Sequence, residues 1–433
     1  MRMMTGWLLV LCLGLAAAPA WAGSGAYSID VPDAAAVGKG DAFVGEANTP
    51  AALFYNPAGM TQLKESALSA DLSVIQPKVS YSPESGDKIQ MKQESFYIPA
   101  MSYVTNLGTE RVALGVGATS HWGLTTEWGQ NVGLLRYSAT RTEMTDKDYL
   151  IAGAYKLTDA LSLGLGVEID RSNVDKQKKI YQQNSGDANF RLKGDSTGAN
   201  VNVSALYKLN ERHQFGLIYR GATEHKYRGK VHLDHMSTAA QASLGGFSYQ
   251  QVFGGASYET AVIAKSTLPQ SAVVGYSFRP DNKWVFNADV EWMDWGAIKK
   301  EELAYPDETD PNRLGVLNNG NPVNRDWHDA WSCNLGAQYS LTERLRLRGG
   351  YFFHQTPIPA TTQDMGLPDS NSHSVTTGVG YDLTKSLTLD LSWSAMFFKT
   401  RTINSEVNDT YGGIDGTYHE WINLMLVTAT YRF

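Results

Sequence analysis

The chain has 433 residues and a net charge of −7, and with 19% charged residues and a mean hydropathy of −0.29 it is a rather polar polypeptide, yet rich in glycine and aromatic side chains. So mild an acidity argues against a nucleic-acid partner. Beyond the N-terminus no apolar run approaches the roughly 18 residues of a transmembrane helix, which excludes a helical membrane protein.

Residues 1–22 read as a secretory signal peptide. Arg2 supplies the positive start, Trp7 to Ala18 the apolar core, and Ala20-Trp21-Ala22 a small-x-small cleavage site. The mature chain then begins at Gly23, and its charge falls from −7 to −8 because Arg2 is the only charged residue removed. Cys12 follows Leu11 inside the apolar core, where lipid attachment is not expected. Cys333 is left alone, which rules out a disulfide framework within the mature chain and a cysteine zinc site.

Residues 23–65 are rich in Ala and Gly, show no alternation and precede every strand. From there period-two patterning dominates. Val112, Leu114, Val116 and Ala118 oppose Gly115, Gly117, Thr119 and His121. Leu161, Leu163, Leu165, Val167 and Ile169 oppose Ser162, Gly164, Gly166, Glu168 and Asp170, and similar faces start at Trp284 and Leu387. No helix tolerates that pattern, and half-apolar strands of about ten residues match the wall of an outer-membrane barrel.

Short polar turns recur between these strands. Tyr155 to Leu163, Tyr207 to Phe215, Tyr339 to Leu347 and Tyr381 to Leu389 share an aromatic end, a tight turn and a restarting strand, and Tyr103 to Val112 and Tyr276 to Trp284 are looser copies. Long polar stretches, notably 226–260 and 297–327, lie between them and read as loops. Six turns join twelve strands; one more begins near Ala67 and another ends at Phe433, which makes fourteen. An even number suits a single-chain bacterial barrel. The last strand sends Val427, Ala429, Tyr431 and Phe433 outward and Thr428, Thr430 and Arg432 inward, and a terminal aromatic of this kind resembles the signal read by the barrel-insertion machinery.

The expected fold is all-β, a 14-stranded antiparallel transmembrane barrel formed by residues 66–433. Such a ring is wider than its own side chains can fill, so residues 23–65 are expected as a plug, or hatch, in the lumen. Inward Gly115, Gly117, Gly164 and Gly166 would let it approach the wall. Arg220, Arg344, Arg346 and Arg348 with Glu168, Asp170, Asp289, Glu291 and Asp390 form the expected polar inner surface, with plug anchoring and mutual pairing as its default role and recognition of a ligand carboxylate as the minority reading. Ile422, Leu424 and Leu426 make part of the lumen wall greasy. Exposed Lys176, Lys178 and Lys179 are expected to meet lipopolysaccharide phosphates.

Three further stretches carry a resemblance. Gly25 to Ser28, Ala36 to Ala47 and Ala51 to Met60, with the triplet Asn56-Pro57-Ala58 followed by Gly59, are similar to the plug of the FadL-type long-chain fatty acid transporters of Gram-negative outer membranes. Ser120-His121-Trp122-Gly123-Leu124 and the residues to Trp128 resemble that family's third strand, where an inward kink opens the wall. Thr356 to Pro359 with Leu367 to Asp369 resemble a further loop signature. The resemblance implies passive uptake of hydrophobic compounds through the outer membrane, with Gly23, Ser24, Gly25, Ala26 and Tyr27 as the moving segment and Ser120 to Leu124 as a lateral gate. Long-chain fatty acids are the implied substrate, with monoaromatic hydrocarbons as the alternative. Lipid and lipopolysaccharide are expected neighbours of a monomer.

No cofactor, metal or catalytic site is expected. His232 and His235 stand in a long polar stretch as solvated side chains. No Gly-x-Ser-x-Gly elbow exists, and Gly38-Lys39-Gly40 lacks the spacing of a phosphate loop. A barrel-embedded hydrolase or an adhesin is the competing class, and a polar porin the last.

Overall fold

The computed structural model describes residues 25–29, 32–84, 86–404 and 414–433; residues 1–22, expected as a signal peptide, and Gly23 and Ser24 lie outside the described residues. The alternating segments form a ring of wall strands: β1 (Ala67–Pro83), β2 (Phe96–Thr105), β3 (Val112–Thr119, resuming as Gly123–Glu127), β4 (Arg141–Lys156), β5 (Leu161–Ile180), β6 (Ala188–Lys208) and β7 (His213–Arg220, resuming as Thr223–Asp234). The ring continues through β8 (Tyr258–Leu268, resuming as Ser271–Phe278), β9 (Trp284–Met293), β10 (Ala330–Ser340), β11 (Leu345–His354), β12 (Ser372–Asp382), β13 (Leu387–Phe398) and β14 (Gly416–Arg432). Each pairs antiparallel with the next. β14 then pairs with β1 from Arg432 opposite Ala67 to Gly416 opposite Pro83, closing the 14-stranded barrel.

Outward Leu163, Leu165, Val167 and Ile169 are exposed, whereas inward Ser162, Glu168 and Asp170 are buried. Apolar outside and polar inside inverts a soluble protein and is the arrangement lipid demands. On β7 the outward side chains pass from Phe215, Leu217 and Tyr219 to Glu224, Lys226, Arg228 and Lys230, which marks the edge of the apolar band. This corrects the reading of 226–260 as loop. Thr223–Asp234 and Tyr258–Leu268 are wall strands that rise above the lipid, and their charged outer faces hid them. The residues between them carry a short helix, Tyr249–Phe253, capped by Ser248 and Gln251. The 297–327 stretch likewise holds a helix, Pro311–Leu317, and a two-residue ladder.

Residues 32–62 lie inside the ring as two single-turn helices, α1 (Ala34–Val37) and α2 (Ala52–Tyr55), and a 3-10 turn, Pro57–Gln62. With so little regular structure their backbone N–H groups need outside acceptors, and the inner wall provides them. Ala34 N donates to Thr428 Oγ1 at 2.8 Å, Gly40 N to Thr376 Oγ1 at 3.0 Å, and Phe43 N and Val44 N to Asp289 Oδ2 at 2.7 and 2.8 Å. Close approach requires glycine opposite: a Cβ on Gly164 would stand 2.6 Å from Ala58 N, and one on Gly216 2.0 Å from Val44 O. Gly115 and Gly117 similarly face Leu53, while Gly166 faces Asn202 of the wall instead.

Within this segment Lys39 and Glu46 form a fully buried ion pair, joined by Asn287 Nδ2. Burial opposes the Glu46 charge, but Lys39 and Arg279 outweigh it and pull its pKa down to about 2. Asp33 caps α1 through Ala36 N at 2.8 Å; burial, then the nearby Asp390, pushes its carboxyl up to about 6.

Candidate functional site

The wall is irregular at β3. β2 pairs with β3 only from Thr105 opposite Leu114 to Met101 opposite Ala118, and its upper half, Phe96–Ala100, has no partner on that side among the described residues. Beyond Thr119 the strand breaks at Ser120, His121 and Trp122, and the resumed part pairs with β4 alone. Thr119 stands opposite Asp148 and Gly123 opposite Thr145, so β3 holds one residue more than its partner, the count of a bulge. Pro99 sits in the unpaired part of β2, where a missing N–H costs nothing. A single backbone bond, Lys92 N to Glu127 O at 2.8 Å, spans the gap at its upper end.

The chain's first described residues enter this break from inside. Ile29 N donates to His121 O at 2.6 Å and Gly123 N to Tyr27 O at 2.9 Å, making Ser28 and Trp122 an antiparallel pair. Tyr27 is buried in an aromatic cluster, 4.9 Å from Trp295 and 6.0 Å from Trp122 and Trp327 between ring centres. Ala26 N is held at 3.1 Å by Asp369 Oδ2, which also accepts from Thr356 Oγ1 at 2.6 Å. Burial raises the Asp369 pKa.

Ile29 continues into an apolar surface on the inner faces of β1, β14, β13 and β11. Ile422, Leu424 and Leu426 are 0%, 2% and 3% exposed and pack with Ile75, Phe352 and Met396. The cavity that Ile422, Leu424, Ile75, Phe352 and Met396 line with Ile29 is only about 20 Å³, room for little more than one water-sized group. Above it the same cluster reaches Trp128, Leu135 and Met91 toward the outer loops. The lumen is thus apolar along one side and closed around residues 27–29.

A model of the outer-membrane transport protein family OMPP1/FadL/TodX matches residues 15–433. The chain belongs to this family. The long-chain fatty acid transport protein of Escherichia coli K12 is 23% identical over 403 residues, covering 85% of this chain and 87% of that one. A Pseudomonas aeruginosa FadL homologue superposes with a TM-score of 0.81 at 19% identity, over 94% of this chain and 100% of the other. The Pseudomonas putida toluene transporter TodX gives 0.72 at 17% identity, over 96% and 99%. As a FadL-family member the chain is an outer-membrane transport protein, and its barrel lies in that membrane.

In this FadL-type barrel the Asn56 to Gly59 motif is a structural clamp. Asn56 Nδ2 donates to Val44 O at 2.9 Å and to Ala205 O at 3.1 Å, and Ala58 N donates to Ser204 Oγ at 3.0 Å, so the motif joins the inner segment to β6. Arg220 reaches the carbonyl of Phe54 and Arg348 pairs with Asp390 at 2.6 Å, both inside. Arg346 pairs with Asp382 at 2.6 Å. Arg344 is a correction: it is exposed in the tight turn before β11, one step short of the alternating register. Lys176, Lys178 and Lys179 are half-buried on β5, engaged by Glu301, the Phe190 ring and Asn189. Glu301 also holds Arg325; burial opposes its charge, but Arg325 and Lys176 keep its pKa well below the usual range. Trp295 and Trp327 were not legible as site residues, since each stands alone in a loop and meets Tyr27 only through the fold; Asp369 lies in the loop signature read from the sequence, and the fold joins it to Thr356 and to Ala26 N.

Proposed function

We propose that this channel takes up long-chain acyl molecules such as fatty acids and passes them sideways into the bilayer between β2 and β3. In this reading residues 23–65 are the plug, its first residues through Ile29 are the gate, and Ser120 to Leu124 form the lateral exit. The observation that carries it is the pairing of Tyr27 and Ile29 with Gly123 and His121, where β2 leaves the kinked strand unpaired. The gate strand completes the wall from inside, so its withdrawal would open the wall.

Magnitudes favour a long chain over a small ring. Freeing residues 27–29 breaks two backbone hydrogen bonds, each worth about 1 kcal/mol net, and uncovers Tyr27, worth about 3 kcal/mol. A monoaromatic ring gains only about 1.5–3 kcal/mol on burial, whereas a dozen methylenes gain about 10 kcal/mol. The relatives' names support both substrates, fatty acids for the Escherichia coli protein and toluene for TodX. The half-apolar lumen suits either, and the energy of opening supports the acyl chain.

Two partner assignments accompany this reading. Outward Tyr431 and Phe433 at the chain end offer the aromatic signal for barrel insertion. Exposed Lys226, Arg228 and Lys265 above the apolar band, with Lys226 directly opposite Lys265, fit lipopolysaccharide phosphates, because like charges facing each other need an anion between them. The test of the main reading is expression in a Gram-negative host lacking its own fatty acid transporter, scored by uptake of labelled oleate and toluene. Oleate uptake is expected; uptake of toluene alone would replace the substrate, and uptake of neither by a folded barrel would end the proposal.

A further inference from the structure

The inner wall beside the β3 break carries an unusual charge. Asp146 and Asp148 of β4 and Glu168 and Asp170 of β5 all face inward and are 0–3% exposed, with Asp148 directly opposite Asp170. Like charges so placed repel, and burial removes the water that would screen them. The cations at hand are few: His121 in the break itself, and Arg220, already donating to Phe54 O.

His121 Nδ1 lies 3.2 Å from Asp148 Oδ2 and 3.1 Å from Glu168 Oε1, and all three ligand atoms fall within 4.8 Å of one another. A tetrahedral zinc ion with bonds of about 2.0–2.1 Å sets its ligands about 3.3 Å apart. A second observation is independent of these three side chains. His225 of β7 is 2% exposed, and neither of its ring nitrogens has a hydrogen-bond partner in the protein. Its ring lies against Gly198, the residue paired with Asp170, and Thr223, two residues earlier on the same face, donates to Asp170 at 2.6 Å. The Asp148 and Asp170 carboxyls face each other within hydrogen-bonding reach.

We infer that His121, Asp148 and Glu168 form a binding site for one divalent transition-metal ion such as zinc, with Asp170 and His225 beside it. One imidazole nitrogen with two carboxylates is a donor set that zinc accepts and that neutralises the acidic patch. The ion would tie the broken strand to β4 and β5, on the side of the break away from β2. An imidazolium sharing its Nδ1 proton between the two carboxylates would span the same distances, and it leaves the partnerless ring nitrogens of buried His225 unexplained.

The test uses the full-length barrel purified in detergent, stripped with a chelator, incubated with zinc and desalted, with metal per chain measured by plasma mass spectrometry. About one zinc per chain is expected, falling at least tenfold in His121→Ala and in Glu168→Gln, while His232→Ala/His235→Ala, at the upper end of β7, keeps it. Folding of each variant is read from its heat-shifted gel mobility. Should a variant fail to fold, anomalous scattering at the zinc edge from wild-type crystals decides the matter by placing an ion between His121 and Glu168 or showing none there. Background zinc in the wild type, or equal retention in folded His121→Ala and Glu168→Gln, would overturn the site.

Discussion

The gate can be locked covalently. Ser28 and Trp122 face each other between the two backbone bonds of their bridge, which makes them a non-hydrogen-bonded antiparallel pair with Cα atoms about 4.5 Å apart. That spacing lies within the 4.4–6.8 Å or so a disulfide spans. In a Cys333→Ser background, which removes the exposed native thiol, Ser28→Cys/Trp122→Cys should oxidise readily. The noncovalent contacts to be broken amount to about 5 kcal/mol, so the unliganded gate is open in roughly one molecule in 10³ to 10⁴. An acyl chain overcomes that cost with about six or seven methylenes; it cannot overcome a covalent bond. Labelled oleate uptake by oxidised cells should therefore fall to the level of cells without the channel and return on adding dithiothreitol. The reduced double variant controls for loss of the Trp122 ring. Full uptake by a quantitatively oxidised variant would refute the gate, whatever the substrate.

Chain length gives a second check: uptake rates of C6 to C18 fatty acids should rise steeply at about eight carbons and level off, and a flat profile would count against ligand-driven opening. Gly216→Val puts a side chain into Val44 O, where even a Cβ would stand 2.0 Å away, and should unseat the plug and raise ion conductance in planar bilayers severalfold over a nearly silent wild type. Leu424→Asn in the apolar lumen should weaken oleate binding at least tenfold in a fluorescence displacement assay, leaving heat-shifted mobility intact. The Asp33 carboxyl, held at about 6 against an ordinary 3.8, binds its proton more tightly folded than unfolded. Its contribution therefore grows as pH falls from about 7 to 4, by up to about 3 kcal/mol, and urea midpoints of Asp33→Asn should lose that part of the pH response.

The barrel was legible because its determinants are local. Alternation depends on neighbours two residues apart, and the six short turns each carry their own signature, so strand number follows without tertiary knowledge. Reading failed where the outer face stops meeting lipid. Lys226, Arg228 and Lys230 continue β7 above the membrane, and a strand whose outward side chains are charged looks like a loop to any argument based on apolar alternation. Arg344 failed for the opposite reason: the alternation was extended one step into a turn, where parity has no meaning.

The site divides along the same line. Asn56, Pro57 and Ala58 are contiguous and could be read; Tyr27, Trp122 and Asp369 were placed by resemblance, but nothing in the sequence shows that Trp295 and Trp327 meet Tyr27 across loops more than 160 residues away. The acidic patch is hidden in the same way. Asp146 and Asp148 are ordinary inward polar residues of one strand, and Glu168 and Asp170 of another; only the register that sets Asp148 against Asp170 turns two unremarkable pairs into an excess of buried charge. That register also brings His121 to Glu168, because the extra residue in β3 turns the strand inward over β4 and β5. The bulge that leaves β2 unpaired is therefore the same one that carries a histidine to the carboxylates, so the break in the wall and His121's place in the charged patch are two consequences of one added residue.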